Sequence, residues 1–160
     1  LLVLPIAFIW PLGVWAQSGI RETLYETRPV VFTAPGAARK VLPAQWAAGI
    51  VLAGVLSGPV IVRAALTGDL AAFVAHAVAA LFVPTLALAF GVLSGGRVLF
   101  EVAYGLLWFV SLQADIPPLL DFMARGELRT ASAWVTPLYA GVTALLLALA
   151  LWGRRRQMTG

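Results

Sequence analysis

The sequence has no cysteine, one histidine and few charges. Eleven basic and seven acidic residues make up 11% of the 160 residues, whereas a soluble domain carries about 25%. Without cysteine the chain can form no disulfide, no thiolate nucleophile and no cysteine-ligated metal site. It also has no glycine-rich loop ending in Lys-Ser or Lys-Thr, the motif that cradles nucleotide phosphates. These absences exclude an ordinary soluble domain, and we expect the chain to bind no metal or cofactor.

Apolar residues dominate instead. They make up 61% of the sequence, and the mean hydropathy is +0.93. Several apolar runs approach the roughly 20 residues that cross a hydrocarbon core, and the short alternating segments of an outer-membrane barrel are not seen. We therefore predict an all-α, polytopic transmembrane helical bundle that forms a single domain over residues 1–160. Five spans are expected, at about residues 1–16, 44–65, 70–93, 98–113 and 134–152.

Two polar stretches interrupt the apolar runs. In residues 17–43, Ile20, Leu24 and Thr27 repeat at helical spacing between charged residues, which predicts an amphipathic helix along the membrane boundary. The alternative is a plain loop whose charges only set the topology. Residues 114–133 contain too many apolar side chains for a solvated loop, so we expect an external, partly re-entrant segment there. In the first span, Pro5 and Pro11 predict kinks whose freed backbone groups neighbouring helices must bond.

The basic residues predict the orientation of the bundle. Five spans place eight basic residues on one side: Arg21, Arg28, Arg39, Lys40, Arg97, Arg154, Arg155 and Arg156. The other side has three: Arg63, Arg125 and Arg129. The excess predicts that the first side, with residues 17–43 and the C-terminus, is cytoplasmic. Because the chain opens within an apolar run, we expect it to be a piece of a longer protein that has one more helix upstream.

The net charge of +4 is interpreted as this topology signal, and no nucleic-acid partner is expected. Membrane lipids are the expected surroundings. The three consecutive arginines at 154–156 either hold anionic lipid headgroups or act only as a stop signal for topology.

The order of residues in the first polar stretch resembles a known family. The pattern is Glu22, Thr27, an apolar run at 30–32, Pro35, and then Arg39 and Lys40. It resembles the cytoplasmic loop between the second and third helices of exporter-like, six-helix permease subunits of ABC transporters of the second type. The number and placement of the other spans are similar to that family from its second helix onward. The chain departs from the pattern at Glu26, where a glycine is common, and at Arg28 and Pro29.

The resemblance implies a division of labour. A separate ABC ATPase subunit would bind ATP and Mg²⁺ and hydrolyse the nucleotide, so this chain would not itself be an enzyme. The 17–43 loop would act as the coupling helix that docks on the ATPase, and a second permease copy or a paralogue would complete the pathway in a bacterial inner membrane. The residues assigned to ATPase docking are Arg21, Glu22, Glu26, Thr27, Arg28, Pro35, Arg39 and Lys40.

Two alternatives stay open. One is an intramembrane enzyme acting on lipid or prenyl substrates, with His76, Glu101 or the external Asp115 and Asp121 as working groups. The other is a membrane scaffold that transports nothing. Against the first, we expect His76 to pack against a helix and bond a carbonyl. We expect Glu101 to pair with Arg97 one helical turn earlier.

Overall fold

The computed structural model describes residues 3–27, 37–113, 117–125 and 133–159. Every regular element in these ranges is a helix, which confirms the all-α prediction for the described residues. In chain order they are α1 (Val3–Ile9), α2 (Leu12–Trp15), α3 (Arg21–Leu24), α4 (Ala37–Leu66), α5 (Leu70–Ser94), α6 (Val98–Ser111), a 3₁₀ turn (Pro118–Leu120) and α7 (Val135–Thr159).

Among the described residues, three helices are long and apolar enough to cross a membrane. They include Lys40–Leu66 with 27 residues, Leu70–Ser94 with 25 and Val135–Gln157 with 23, each longer than the roughly 20 residues a crossing needs. The other two expected spans are shorter. α6 has 14 residues, about 21 Å at 1.5 Å per residue, and α1 and α2 are separate helices divided at Trp10 and Pro11. The five-span topology therefore stays a prediction.

α5 lies at the centre of the bundle. In its most apolar window 67% of the residues are buried, against 22% in each of the other two long helices. It begins at Asp69, whose side chain accepts a hydrogen bond from the Ala72 amide at 2.9 Å, and ends at Gly95 in the left-handed conformation. α4 and α7 both pack along it. The start of α7 lies beside the start of α5, and Gly153 near the end of α7 contacts Val92, so these two helices run parallel.

Two helices extend beyond their expected ends. α4 is described from Ala37 and runs through Pro43, which we expected to close the polar stretch. Leu42 is 2% exposed in a cluster with Leu88 and Val92, and this packing holds the first turns of α4 in place. α7 continues past Trp152 to Thr159 rather than ending at the tryptophan.

Aromatic side chains form the core between α1, α2, α5 and α6. Its buried rings are Phe8, Trp15, Phe82, Phe100, Tyr104, Phe122 and Tyr139. The Tyr104 hydroxyl donates to the Phe8 carbonyl at 2.7 Å, and Trp108 Nε1 donates to the Pro5 carbonyl at 2.9 Å. Side chains of α6 thus bond backbone carbonyls of α1.

The described part of the second polar stretch is packed into the bundle. Residues 121–124 are buried, and the Phe122 ring lies 5.6 Å from the Tyr104 ring and 6.2 Å from the Phe8 ring. The Tyr139 hydroxyl donates to the Leu119 carbonyl at 2.6 Å, and Arg125 donates to the Ser111 carbonyl. Residues 121–124 are therefore part of the core, and the rest of the 117–125 segment is bonded to the bundle through Leu119 and Arg125.

Candidate functional site

A buried ion pair joins the first polar stretch to the end of the chain. Arg154 Nη2 on α7 lies 3.2 Å from Glu22 Oε2, and the two side chains are 4% and 5% exposed. The other carboxylate oxygen, Glu22 Oε1, accepts a hydrogen bond from Gln45 Nε2 at 2.6 Å. Both oxygens of a buried carboxylate thus have partners, which such a group requires.

Gln45 completes the arrangement from α4. Its side-chain oxygen accepts a hydrogen bond from the Gly19 amide at 2.9 Å while its nitrogen donates to Glu22. A single amide therefore bonds both the backbone before α3 and the carboxylate on α3. We call the set Gly19, Glu22, Gln45, Arg154 and Gln157 the polar junction.

Glycines allow the chain to approach α5 closely here. Gly19 has φ +80°, a conformation that residues with a Cβ rarely adopt. The Ser18 carbonyl lies directly against Gly91 of α5, where any Cβ would collide with it. The turn from Trp15 to Ile20 can therefore cross α5 at backbone contact and bring Glu22 to Gln45 and Arg154.

The last turns of α7 complete the junction from the other side. Gly153 lets α7 approach Val92 and Leu93. Three residues after Arg154, Gln157 Nε2 donates to the Val92 carbonyl at 2.8 Å. That carbonyl belongs to the final turn of α5, where helix carbonyls lack intrahelical partners. Arg154 and Gln157 share one face of α7, and this face bonds α3 and α5 together.

Outside the junction, residues 21–27 form an exposed turn. We call it the 21–27 turn; it consists of α3 followed by Tyr25, Glu26 and Thr27. Its described side chains other than Glu22 are exposed: Arg21, Leu24, Tyr25, Glu26 and Thr27. The helix is one turn long rather than an extended amphipathic element, because Glu26 adopts φ +53° and the Thr27 amide bonds back to the Glu22 carbonyl at 3.0 Å.

The expected docking residues therefore separate into groups. Arg21, Glu26 and Thr27 lie on the 21–27 turn, and Lys40 is exposed on the first turn of α4. Glu22 is buried beneath them. Arg28 and Pro35 lie outside the described residues. Arg39 belongs to the first turn of α4.

The two expected intramembrane polar residues lie apart from the junction and from each other. His76 on α5 is 8% exposed, and its Nδ1 lies 2.7 Å from the Ala72 carbonyl of the same helix. Glu101 lies 3.7 Å from Arg97 Nε on α6, as its spacing predicted. Of the external aspartates, Asp121 is buried with the 117–125 segment, and Asp115 lies outside the described residues. Within the part of the chain described, no three His, Asp or Glu side chains form a metal-binding group.

Sequence reasoning missed the roles of Gln45 and Arg154. The sequence does contain an indication for Gln45, because it is the only amide side chain in the apolar run from residue 44 to residue 65. The sequence contains no such indication for Arg154. It is the first of three identical residues, and only the fold distinguishes it from its neighbours. Arg155 and Arg156 are exposed, and the Arg156 guanidinium lies 3.9 Å from the centre of the Trp152 ring.

A small cavity adjoins the junction. Its volume is about 50 Å³, and Ser18, Arg21 and Gln45 are among the residues that line it. A water needs on the order of 10–15 Å³ by such a measure, whereas ligand sites occupy roughly 300–1,000 Å³. The cavity has space for a few waters, and the bonds of the polar junction connect α3, α4, α5 and α7.

The regular elements of the described residues are all helices, three of them of membrane length, which indicates a membrane protein. Comparison of the chain with protein-family models, with curated proteins and with solved structures gives no match.

Proposed function

We propose that this chain is the permease subunit of an ABC transporter of the second type, moving a substrate across a membrane at the expense of ATP hydrolysed by a separate ATPase subunit. One observation carries the proposal. The exposed 21–27 turn is joined to all three membrane-length helices, through Gln45 to α4, through the Ser18–Gly91 contact to α5 and through Arg154 to α7.

A docking element has two physical requirements. It must present side chains to the partner, and it must be attached to the helices it moves. The 21–27 turn presents both charge signs and an aromatic ring, Tyr25, which is 64% exposed. Aromatic and arginine side chains are enriched at protein interfaces. Beneath this surface, the buried Glu22 meets the second requirement.

The remaining parts of the proposal follow from this assignment. ATP and Mg²⁺ belong to the partner ATPase. The 21–27 turn, Lys40 and the C-terminal arginines face the cytoplasm of a bacterial cell, and the protein resides in the inner membrane. Large apolar side chains exposed along α4 and α7, among them Val51, Val55 and Leu145, are surfaces for membrane lipids and for a second permease copy or paralogue.

Co-purification from the native membrane tests the proposal. The full-length protein is extracted in mild detergent, bound proteins are identified, and ATP hydrolysis is assayed. We expect a co-purifying ATPase that is lost when Arg21→Glu and Glu26→Arg are combined, because both side chains lie on the exposed turn. The matched control is Arg63→Glu, an exposed residue near the opposite end of α4, which should leave the ATPase bound.

Two results would contradict the proposal. One is purification without any ATPase under conditions that preserve other membrane complexes. The other is equal ATPase retention by the double variant, by the control and by the unmodified protein. In either case, lipid-modifying activity and its dependence on His76 and Glu101 should be measured next.

A further inference from the structure

The 21–27 turn has little apolar contact of its own. Among the side chains described between residues 21 and 27, only Glu22 is buried; α3 is a single turn. Isolated helices of this length are unstable in water. Besides the crossing of Ser18 over Gly91 and the bond from Gly19 to Gln45, the bonds that Glu22 makes to Gln45 and Arg154 hold the turn in position.

The charged partner of Glu22 comes from a distant part of the chain. Arg154 lies 132 positions after Glu22, in a helix otherwise attached to α5. Buried ion pairs contribute little net stability compared with apolar residues of the same size, but they define geometry because a misplaced partner leaves a charge unpaired. A buried pair here fixes where α7 ends relative to the turn.

We propose that Arg154 is a positioning residue that links α7 directly to the 21–27 turn, so that movement of the turn is passed to α7 through the Glu22–Arg154 pair. With the pair intact, the turn and the last two turns of α7 move as one body. With the pair broken, the exposed surface of the turn remains, but its direct connection to α7 is lost. This inference rests on the proposed function for its consequence, and on the geometry of the chain alone for the link itself.

The link can be measured without any partner protein. Because the sequence has no cysteine, spin labels can be attached at Tyr25→Cys on the turn and Trp152→Cys on α7, both exposed, with no background labelling. Double electron–electron resonance in lipid nanodiscs then measures the distribution of distances between the two labels. The width of this distribution reports how firmly the turn is held relative to α7. We expect a narrow distance distribution in the otherwise unmodified chain and a broad one after Glu22→Gln or Arg154→Gln.

Matched variants distinguish the loss of the Glu22–Arg154 pair from a general effect of removing a charge. Arg155→Gln removes the same charge from the next, exposed residue and should leave the distribution narrow. Arg154→Lys retains a cation and should broaden it less than Arg154→Gln. If the single variants do not fold, Glu22→Gln combined with Arg154→Gln leaves no buried lone charge and should fold with a broad distribution. A narrow distribution in this double variant and in the folded single variants overturns the link.

The consequence is tested in the complex with its ATPase. We expect the Arg154→Gln variant to retain the co-purifying ATPase, since the exposed surface is unchanged. In this variant the rate of ATP hydrolysis should no longer depend on the permease. Unchanged dependence together with a broadened distribution would overturn the role in transmission. If no ATPase co-purifies with any form of the protein, the proposed function fails, whereas the distance measurement still decides whether Arg154 positions the turn.

Discussion

Gly91 lies where the chain crosses α5 at backbone contact. A methyl group at this position would meet the Ser18 carbonyl oxygen, which is backbone and cannot move aside by changing rotamer. We expect Gly91→Ala to destabilise the protein by about 1–3 kcal/mol, the usual cost of overpacking. Thermal unfolding in detergent should show a lowered midpoint.

Gly54 on α4 provides the control, because a Cβ there meets no other atom within 4 Å. Gly54→Ala should keep or raise the midpoint, since replacing glycine at a compatible site stabilises proteins by about 0.4–1 kcal/mol. Equal losses in both variants would mean that the contact between Ser18 and Gly91 is not a close one.

The two glutamate–arginine pairs should differ strongly in their contribution to stability. Glu22 is buried, so Glu22→Gln removes the carboxylate that lies 3.2 Å from the buried Arg154 guanidinium, at a cost of about 3–5 kcal/mol. Glu101 is 34% exposed and Arg97 is 59% exposed, so Glu101→Gln should cost less than about 1 kcal/mol. Denaturant titration of both variants checks the difference. Similar midpoints would contradict the burial of the Glu22 pair.

These pairs also show what local spacing can predict. Glu101 and Arg97 are four residues apart on one helix, so their pairing could be predicted from the sequence. Glu22 and Arg154 meet only because α5 holds both the turn and α7. No periodic pattern in the sequence predicts this contact. For the same reason Glu22 was expected among exposed docking residues, whereas the fold buries it.

At the scale of elements, the 117–125 segment should behave as part of the core. Phe122 contacts rings from α1, α5 and α6. Phe122→Ala should therefore cost about 3–5 kcal/mol and release the segment from the bundle. Limited trypsin digestion, followed by mass spectrometry, should show faster cleavage after Arg125.

Leu119→Ala is the comparison for that experiment. Leu119 is 42% exposed, and Tyr139 bonds its backbone carbonyl rather than its side chain. Cleavage after Arg125 should stay near the original rate in this variant. If the two variants are cleaved equally fast, Phe122 does not anchor the segment.

Helix ends were harder to predict than helices. The three long helices were expected at 44–65, 70–93 and 134–152, and hydrophobic length alone sufficed to find them. α4 and α7 extend further because their polar ends pack: Leu42 enters an apolar cluster, and Arg154 reaches Glu22. A tryptophan followed by arginines usually marks the end of a span, but it does not tell where the helix itself ends.

The path of the whole chain bears on its topology. α5 and α7 run parallel, so the residues between Ser94 and Val135 must return along the bundle, and α6 lies in that interval. We therefore expect Thr67, after α4, and Arg155, near the end of α7, to face opposite sides of the membrane. A membrane-impermeant maleimide should label Thr67→Cys in intact cells and Arg155→Cys only after the membrane is opened. Labelling of both from the same side would contradict the arrangement.

Composition was enough to predict a helical membrane protein, because long apolar segments in lipid must bond their own backbone polar groups, and a helix does so within one segment. Of the candidate site, only the exposed residues were predicted from the sequence. The sequence places Arg21, Glu26 and Thr27 in a polar stretch, but the support beneath them comes from three helices distant along the chain. The sequence contains only the separate residues Gln45, Gly91 and Arg154, which have no shared pattern.

The sequence separation within the Glu22–Arg154 pair has a consequence for biosynthesis. Chains are made from the N-terminus, so Glu22 leaves the ribosome long before its counter-charge. Until α7 is synthesised and inserted, the carboxylate lacks its Arg154 partner, and the 21–27 turn is held through its contacts with α4 and α5. The exposed surface that would receive a partner protein can therefore form before α7 is inserted, and its direct connection to α7 is a later step in the formation of the fold.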